Sequence, residues 1–133
     1  MTRPDPLELA AIFAGGCVGS LARAGLAEAA GDGSGGSWPW ATFAANALGA
    51  LLLGYFVTRL QERLPPSRYR RPFLGTGLCG ALTTFSTVQI ELLRMLDHGH
   101  AGLAAGYAAA SVAAGFGAVW LATGATRRVR LAA

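Results

Sequence analysis

The sequence predicts an all-α integral membrane protein with four transmembrane helices, and three observations carry that prediction. Mean hydropathy is +0.41 and only 14% of the 133 residues are charged, where a soluble domain carries about 25%. Charge-free runs extend from Trp38 to Thr58, from Pro72 to Ile90 and from Ala101 to Thr126, each near the roughly 20 residues that cross about 30 Å of hydrocarbon. The prolines (Pro4, Pro6, Pro39, Pro65, Pro66, Pro72) fall at the ends of these runs, where helix starts and loops accept them. Disorder is excluded by the hydrophobicity, and two cysteines cannot supply a disulfide framework.

Taken in order, the spans are expected near 7–30, 38–60, 73–96 and 101–126, in one domain covering 1–133. The first is the weakest, because Leu9 to Ala22 is uncharged but Arg23 and Glu28 follow. Arg3 and the apolar Leu7–Val18 also have the outline of a signal peptide, and Ala14–Cys17 that of a lipoprotein processing site. The glycine-rich segment running on into Arg23 argues instead for a retained helix. Trp38 and Trp40 open the second span and Trp120 nearly closes the fourth, as interfacial anchors do. Cys17 and Cys79 both fall within spans and are expected to be buried, inert thiols.

All eleven basic residues are arginine, against seven acids. With four spans the N-terminus, the middle loop and the C-terminus share one side. That side holds Arg3, Arg59, Arg63, Arg68, Arg70, Arg71, Arg127, Arg128 and Arg130, whereas the other holds only Arg94. Basic loops stay inside, so both termini are expected in the cytoplasm, with the protein in the bacterial inner (plasma) membrane.

The third span is the oddest. Gly75 to Glu91 reads GTGLCGALTTFSTVQIE, with three glycines and five hydroxyls in less than one crossing. Poor helix formers cluster around Gly80 to Thr84. Either the helix breaks there, freeing carbonyls that must line a cavity or meet a cation, or it continues, packed through small residues with its hydroxyls bonded back to carbonyls. Asn46 in the second span is either helix–helix glue or a ligand contact. Tyr107 and Ser111 form a narrow polar stripe on the fourth. Gly15 and Gly19 have close-packing spacing on the first, and Arg23 either snorkels or pairs with an acid such as Glu91. His98 and His100 belong to a solvated loop. Asn46, Thr83, Thr84, Ser86, Thr87, Tyr107 and Ser111 are all neutral donors. No metal-ligand cluster, phosphate loop or nucleophile–base pair is present, and nothing points to a nucleic acid. The inventory suits a conduit for a small, hydrated anion and not an enzyme.

These residues resemble the CrcB/Fluc fluoride channel family almost end to end. The likeness rests on GGCVGSLAR (Gly15 to Arg23), on Asn46 followed by LG, on GLCGALTTFST (Gly77 to Thr87), and on the Tyr107–Ser111 stripe. The resemblance implies an antiparallel dimer of four-helix subunits that exports fluoride passively and protects against its toxicity. It implies that the third helix is broken at mid-membrane. Gly80 and Thr83 would offer main-chain carbonyls, from both subunits, to a central Na⁺ that is structural and not transported. Asn46 would donate its amide along the pore, and Phe85 would meet the anion with its electropositive ring edge. Ser86, Thr87, Tyr107 and Ser111 would furnish hydroxyls, and Arg23 and Glu91 would stand at a vestibule.

Two features depart from the family pattern. Val88 stands where a second pore phenylalanine is usual. Nine arginines against one also conflicts with the two-way insertion that an antiparallel homodimer needs. The chain is therefore expected to be one half of a heterodimer with an oppositely oriented paralogue. Two rival readings are a small multidrug exporter and a non-conducting scaffold subunit. The first needs a deep acid in span one, where Glu8 and Glu28 lie only at the ends; the second is kept open by Val88.

Overall fold

The computed structural model describes residues 5–31, 36–62 and 67–128. Arg3, Pro4, Arg63, Pro65, Pro66 and Arg130, used in the sequence arguments, lie outside the described residues. Four helical tracts are long and apolar enough to cross a membrane: Pro6–Ala30, Trp40–Glu62, Pro72–Asp97 and Ala101–Arg128.

Helix α1 (Pro6–Ala30) starts where Asp5 accepts the Leu7 N–H at 3.0 Å and Pro6 takes the first turn, the combination that satisfies orphan donors and fixes φ at a helix entry. Helix α2 (Trp40–Glu62) begins just after Pro39, so Trp38 lies ahead of the helix and not inside it. The third tract has three parts. A π-helix (Pro72–Cys79) passes into a single turn, α3 (Gly80–Leu82), after which Thr83 is extended (φ −81°, ψ 153°) and helix winding resumes only at α4 (Ser86–Asp97). Helix α5 (Ala101–Arg128) follows a short turn containing the exposed His98 and His100.

Glycines set how closely the tracts approach. A methyl group at Gly15 would run into the Phe73 carbonyl oxygen, and one at Gly19 into that of Leu78. The π-helix therefore lies directly on the backbone of α1, the close approach that small residues permit within membranes. Helix α2 pairs with α5, and α4 packs on α5. Val88, Met95, Ala104 and Tyr107 make a buried cluster, with Trp38, Phe43, Leu92 and Leu103 partly buried around it. The Trp38 ring meets Tyr107 edge-on at 5.4 Å, a favourable aromatic geometry.

The outside is apolar. Phe13, Leu21, Phe85, Phe116 and Trp120 are all 72–77% exposed, far more than a water-soluble monomer tolerates in one surface. Cys17 corrects one expectation: it is exposed on α1, while Cys79 is buried. Cys17 lies two residues beyond Gly15, roughly 200° further round the helix at 3.6 residues per turn, so it is off the line of closest backbone contact and borders an open groove with Thr76, Gly77 and Gly80.

Ion pairs gather one end of the bundle. Arg68 reaches Asp5 at 3.4 Å, and Arg127 reaches Glu62 at 2.7 Å. The start of α1, the end of α2, the segment before the π-helix and the end of α5 therefore share that end, together with Arg59, Arg70, Arg71 and Arg128. Arg94 lies at the other end, beside Trp38 and Trp40.

Candidate functional site

The interruption of the third tract is held from α2. Asn46 Nδ2 donates to the Thr84 carbonyl at 3.0 Å, and Asn46 Oδ1 accepts the Thr84 N–H at 2.8 Å. In an unbroken α-helix the Thr84 N–H would bond to the Gly80 carbonyl four residues back; here it is diverted. Thr84 repeats the device one step later. Its Oγ1 accepts the Thr87 N–H at 3.2 Å, in the manner of a helix cap, and so takes the donor that would otherwise reach the Thr83 carbonyl. These two diversions deny the Gly80 and Thr83 carbonyls their helical partners. The Ala81 and Leu82 carbonyls, whose partners would be the Phe85 and Ser86 N–H groups, lie in the same interruption.

This donor set fits a hard cation. Main-chain carbonyl oxygens suit Na⁺-like ions, and carbonyls without helical partners at membrane depth need a ligand or a cavity. Gly80 is exposed, and a methyl placed on it would come no nearer than 4.0 Å to the Gly75 carbonyl oxygen, so its glycine is not required by packing within the chain. Among the described residues no cluster of His, Cys, Asp or Glu could hold a metal.

Hydroxyls continue from the break. Thr84 Oγ1 lies 3.0 Å from Thr87 Oγ1 and 3.3 Å from Ser86 Oγ. The Thr83 hydroxyl instead donates to the Cys79 carbonyl at 2.9 Å. Thr87 borders two adjoining clefts. One, of about 360 Å³, is walled by Ser20, Arg23, Thr42, Thr84 and Thr87. The other, of about 500 Å³, is walled by Trp38, Trp40, Thr42, Thr87, Glu91 and Arg94. Arg23 and Glu91 therefore border neighbouring spaces that share Thr42 and Thr87.

Glu91 is held by hydroxyls and not by a cation. Thr42 Oγ1 donates to Oε1 at 2.5 Å, and Tyr107 Oη donates to Oε2 at 2.7 Å. Among the described residues Arg23 forms no ion pair with it, which answers the pairing weighed from sequence. Tyr107 is fully buried and spends its O–H on Glu91. Ser111 Oγ, one turn along α5, is buried without a hydrogen-bond partner among the described residues. Phe85 stands apart, 75% exposed on the outer surface beside the break.

The sequence points to Thr84 only for its hydroxyl, and does not point to Thr42. It is the Thr84 main chain that Asn46 grips. Thr42 precedes Asn46 by four residues on α2 and so shares its helix face.

Four apolar helical tracts, one of them interrupted beside a seam of uncharged donors, define a polytopic membrane protein organised around a polar locus at that break. The chain belongs to the CrcB family: a family profile described as "CrcB-like protein, Camphor Resistance (CrcB)" matches residues 10–123. It is 64% identical over 132 residues to the fluoride-specific ion channel FluC 1 of Mycolicibacterium paratuberculosis, covering 98% of each chain. It is 58% identical over 131 residues to FluC 1 of Mycobacterium bovis, again covering 98% of each. The fluoride-specific ion channel FluC 3 of Streptomyces avermitilis is 42% identical over 130 residues, spanning 94% of this chain and 63% of that one; the same organism also has proteins named FluC 1 and FluC 2.

Proposed function

We propose that this protein is a fluoride-selective channel through which F⁻ leaves the cytoplasm passively, protecting the cell from fluoride toxicity. The observation that carries the reading is the Asn46-held break, flanked by the Thr84, Ser86 and Thr87 hydroxyls, in a chain whose full-length relatives are named fluoride-specific ion channels. A strongly hydrated anion must trade its water for fixed donors in steps, none of them tight enough to trap it. Arg23 would raise the local anion concentration at the vestibule. Thr87 and Ser86 would offer O–H groups, Phe85 its ring edge, and Asn46 the amide N–H that Thr84 leaves unused. Tyr107 and Ser111 would complete the path from α5, and Glu91 would tune entry.

The working unit is proposed to be an antiparallel dimer with the third helix broken at mid-membrane in each subunit. Gly80 and Thr83 carbonyls from both chains would hold one structural Na⁺, which would supply a fixed positive potential near the anion path. The exposed Phe85 and Gly80 then face a partner and not lipid. Collection of arginines at the end shared by Asp5, Glu62 and Arg127 supports cytoplasmic termini in the bacterial plasma membrane. Fixed orientation in turn favours an oppositely oriented paralogue as partner.

The test is fluoride efflux from proteoliposomes containing the chain alone or with a co-expressed paralogue, read by a fluoride electrode. Fast, electrogenic efflux that ignores a proton gradient and is reduced by Phe85→Ile is expected. Absence of efflux in both arrangements rejects the channel and leaves a scaffold; efflux driven by a proton gradient rejects passive transport. A reporter fused to the C-terminus reads orientation separately, and substantial outward insertion rejects the heterodimer.

A further inference from the structure

We infer that the arginine-rich end of the bundle carries a binding site for an anionic phospholipid, in a cleft that the polar seam does not use. The cleft holds about 540 Å³, within the size range of small-ligand sites. It opens between α2 and the start of the π-helix. Its lining is almost wholly apolar, from Phe56, Leu60, Phe73, Leu74 and the rings of Tyr55 and Tyr69, and the side chains of Arg59 and Arg70 border it through their aliphatic stems.

Charge complementarity selects the occupant. At this end Arg68 and Arg127 have carboxylate partners, Asp5 and Glu62. Among the described residues neither Arg59 nor Arg70 forms an ion pair, yet both border the cleft. Arg59 sits in the last turn of α2, and Arg70 just precedes the π-helix. Both therefore lie at the level where a spanning helix meets headgroups. Tyr55 and Tyr69 add ring-and-hydroxyl side chains of the kind that settle at that level. An apolar slot bordered by the stems of two arginines suits an acyl chain whose phosphate lies within reach of their guanidinium ends. Basic pockets between spanning helices take acidic headgroups in this way, and a guanidinium binds phosphate oxygens through paired N–H groups. A free anion would leave the apolar lining uncovered, and a zwitterionic lipid would gain less from the guanidinium ends.

The experiment is native mass spectrometry of the full chain, released from detergent with phosphatidylglycerol or phosphatidylcholine of identical acyl chains. Retention of phosphatidylglycerol well above phosphatidylcholine is expected. The double variant Arg59→Gln/Arg70→Gln should lose about thirty-fold in that preference, and Arg59→Lys/Arg70→Lys should keep most of it. Because neither arginine has a carboxylate partner among the described residues, both variants should retain the thermal stability of the parent. Arg128→Gln, at the same end but outside the cleft, should bind as the parent does, and Leu74→Trp, which fills the slot, should abolish retention. Equal retention of the two lipids overturns the proposal, as does an equal loss in Arg128→Gln, which would mean diffuse attraction. Competition by glycerol phosphate as effective as that by the lipid also overturns it, since that identifies a plain phosphate site.

Discussion

Asn46 grips both polar groups of the Thr84 peptide, donating to its carbonyl at 3.0 Å and accepting its N–H at 2.8 Å. A side chain on one helix thereby replaces, for a single residue of another, the backbone ladder that residue has left. The clamp explains how the third tract can stop at Leu82 with both polar groups of Thr84 still satisfied. It also links two features usually treated apart, since holding Thr84 is what denies the Gly80 carbonyl its helical donor.

Asn46→Asp should separate the two halves of the clamp. The carboxylate still accepts the Thr84 N–H, but its second oxygen faces the Thr84 carbonyl with no proton to share. A lost bond that leaves a buried acceptor unsatisfied costs about 1–3 kcal/mol, so a lower Tm and reduced fluoride efflux are expected. The protonated acid regains an O–H donor, so acidification should narrow the stability gap between the variant and the parent measured at the same pH. A variant as stable as the parent at neutral pH would show that the donor half of the clamp is dispensable.

Gly49 lies against the Thr83 side chain so closely that a methyl group on it would overlap the threonine Cγ2. Gly49→Ala should therefore push the extended residue out of place and reduce efflux, with a stability loss of about 1–3 kcal/mol, as for other overpacked sites. Thr83→Ser removes the obstructing methyl and keeps both the carbonyl and the hydroxyl. The double variant Gly49→Ala/Thr83→Ser should recover much of the loss, a coupling that a thermal double-mutant cycle measures directly.

Gly15 and Gly16 are neighbours with opposite expectations. A methyl at Gly15 would strike the Phe73 carbonyl oxygen, whereas one at Gly16 has nothing within 4 Å inside the chain. Backbone cannot step aside as a side chain can, so Gly15→Ala should sharply lower the yield of folded protein. Gly16→Ala should fold as a subunit, and size-exclusion chromatography of the two variants in detergent checks both statements.

Much of this architecture is legible in the sequence. Span lengths follow from charge-free runs because hydrocarbon penalises every interruption. The trouble in the third span followed from glycine and threonine crowding at Gly80 to Thr84. The sequence leaves open a broken helix or a continuous one with hydroxyls bonded back to carbonyls. Winding is interrupted between Leu82 and Ser86, and of the hydroxyls Thr83 bonds back to Cys79 while Thr84 takes the Thr87 N–H. What was not legible depends on rotation about helix axes. A one-dimensional pattern could not tell that Cys17 faces outward, nor that Glu91 would find hydroxyls on α2 and α5 in place of Arg23. The π-helical winding of Pro72–Cys79, which lies against α1, also has no marker in the residues beyond their glycines.

Glu91 is secured by one hydroxyl from each of two helices, Thr42 on α2 and Tyr107 on α5. Removing either should destabilise the fold by about 2 kcal/mol, the range for hydrogen bonds to a charged group. Tyr107→Phe keeps the edge-on contact with Trp38 and deletes only the donor. Thr42→Val should cost a similar amount. Because both act on one carboxylate, the double variant is expected to deviate from additivity by at least 0.5 kcal/mol, as coupled neighbours do. Strict additivity in thermal unfolding would mean that the two bonds are independent.

Val88 occupies the position at which the resembled family places a second phenylalanine, and here it is 8% exposed within the cluster of Met95, Ala104 and Tyr107. A phenyl ring cannot enter that space without displacing a neighbour, and overpacking of this kind costs about 1–3 kcal/mol. Val88→Phe should therefore lower the Tm. Val88→Phe/Met95→Ala, which opens room beside it, should recover part of the loss. If Val88→Phe alone is as stable as the parent, the ring must have turned outward, toward the surface that carries Phe85. The same variant would then be the one to assay for increased fluoride efflux, because only an outward ring can offer its edge to the anion.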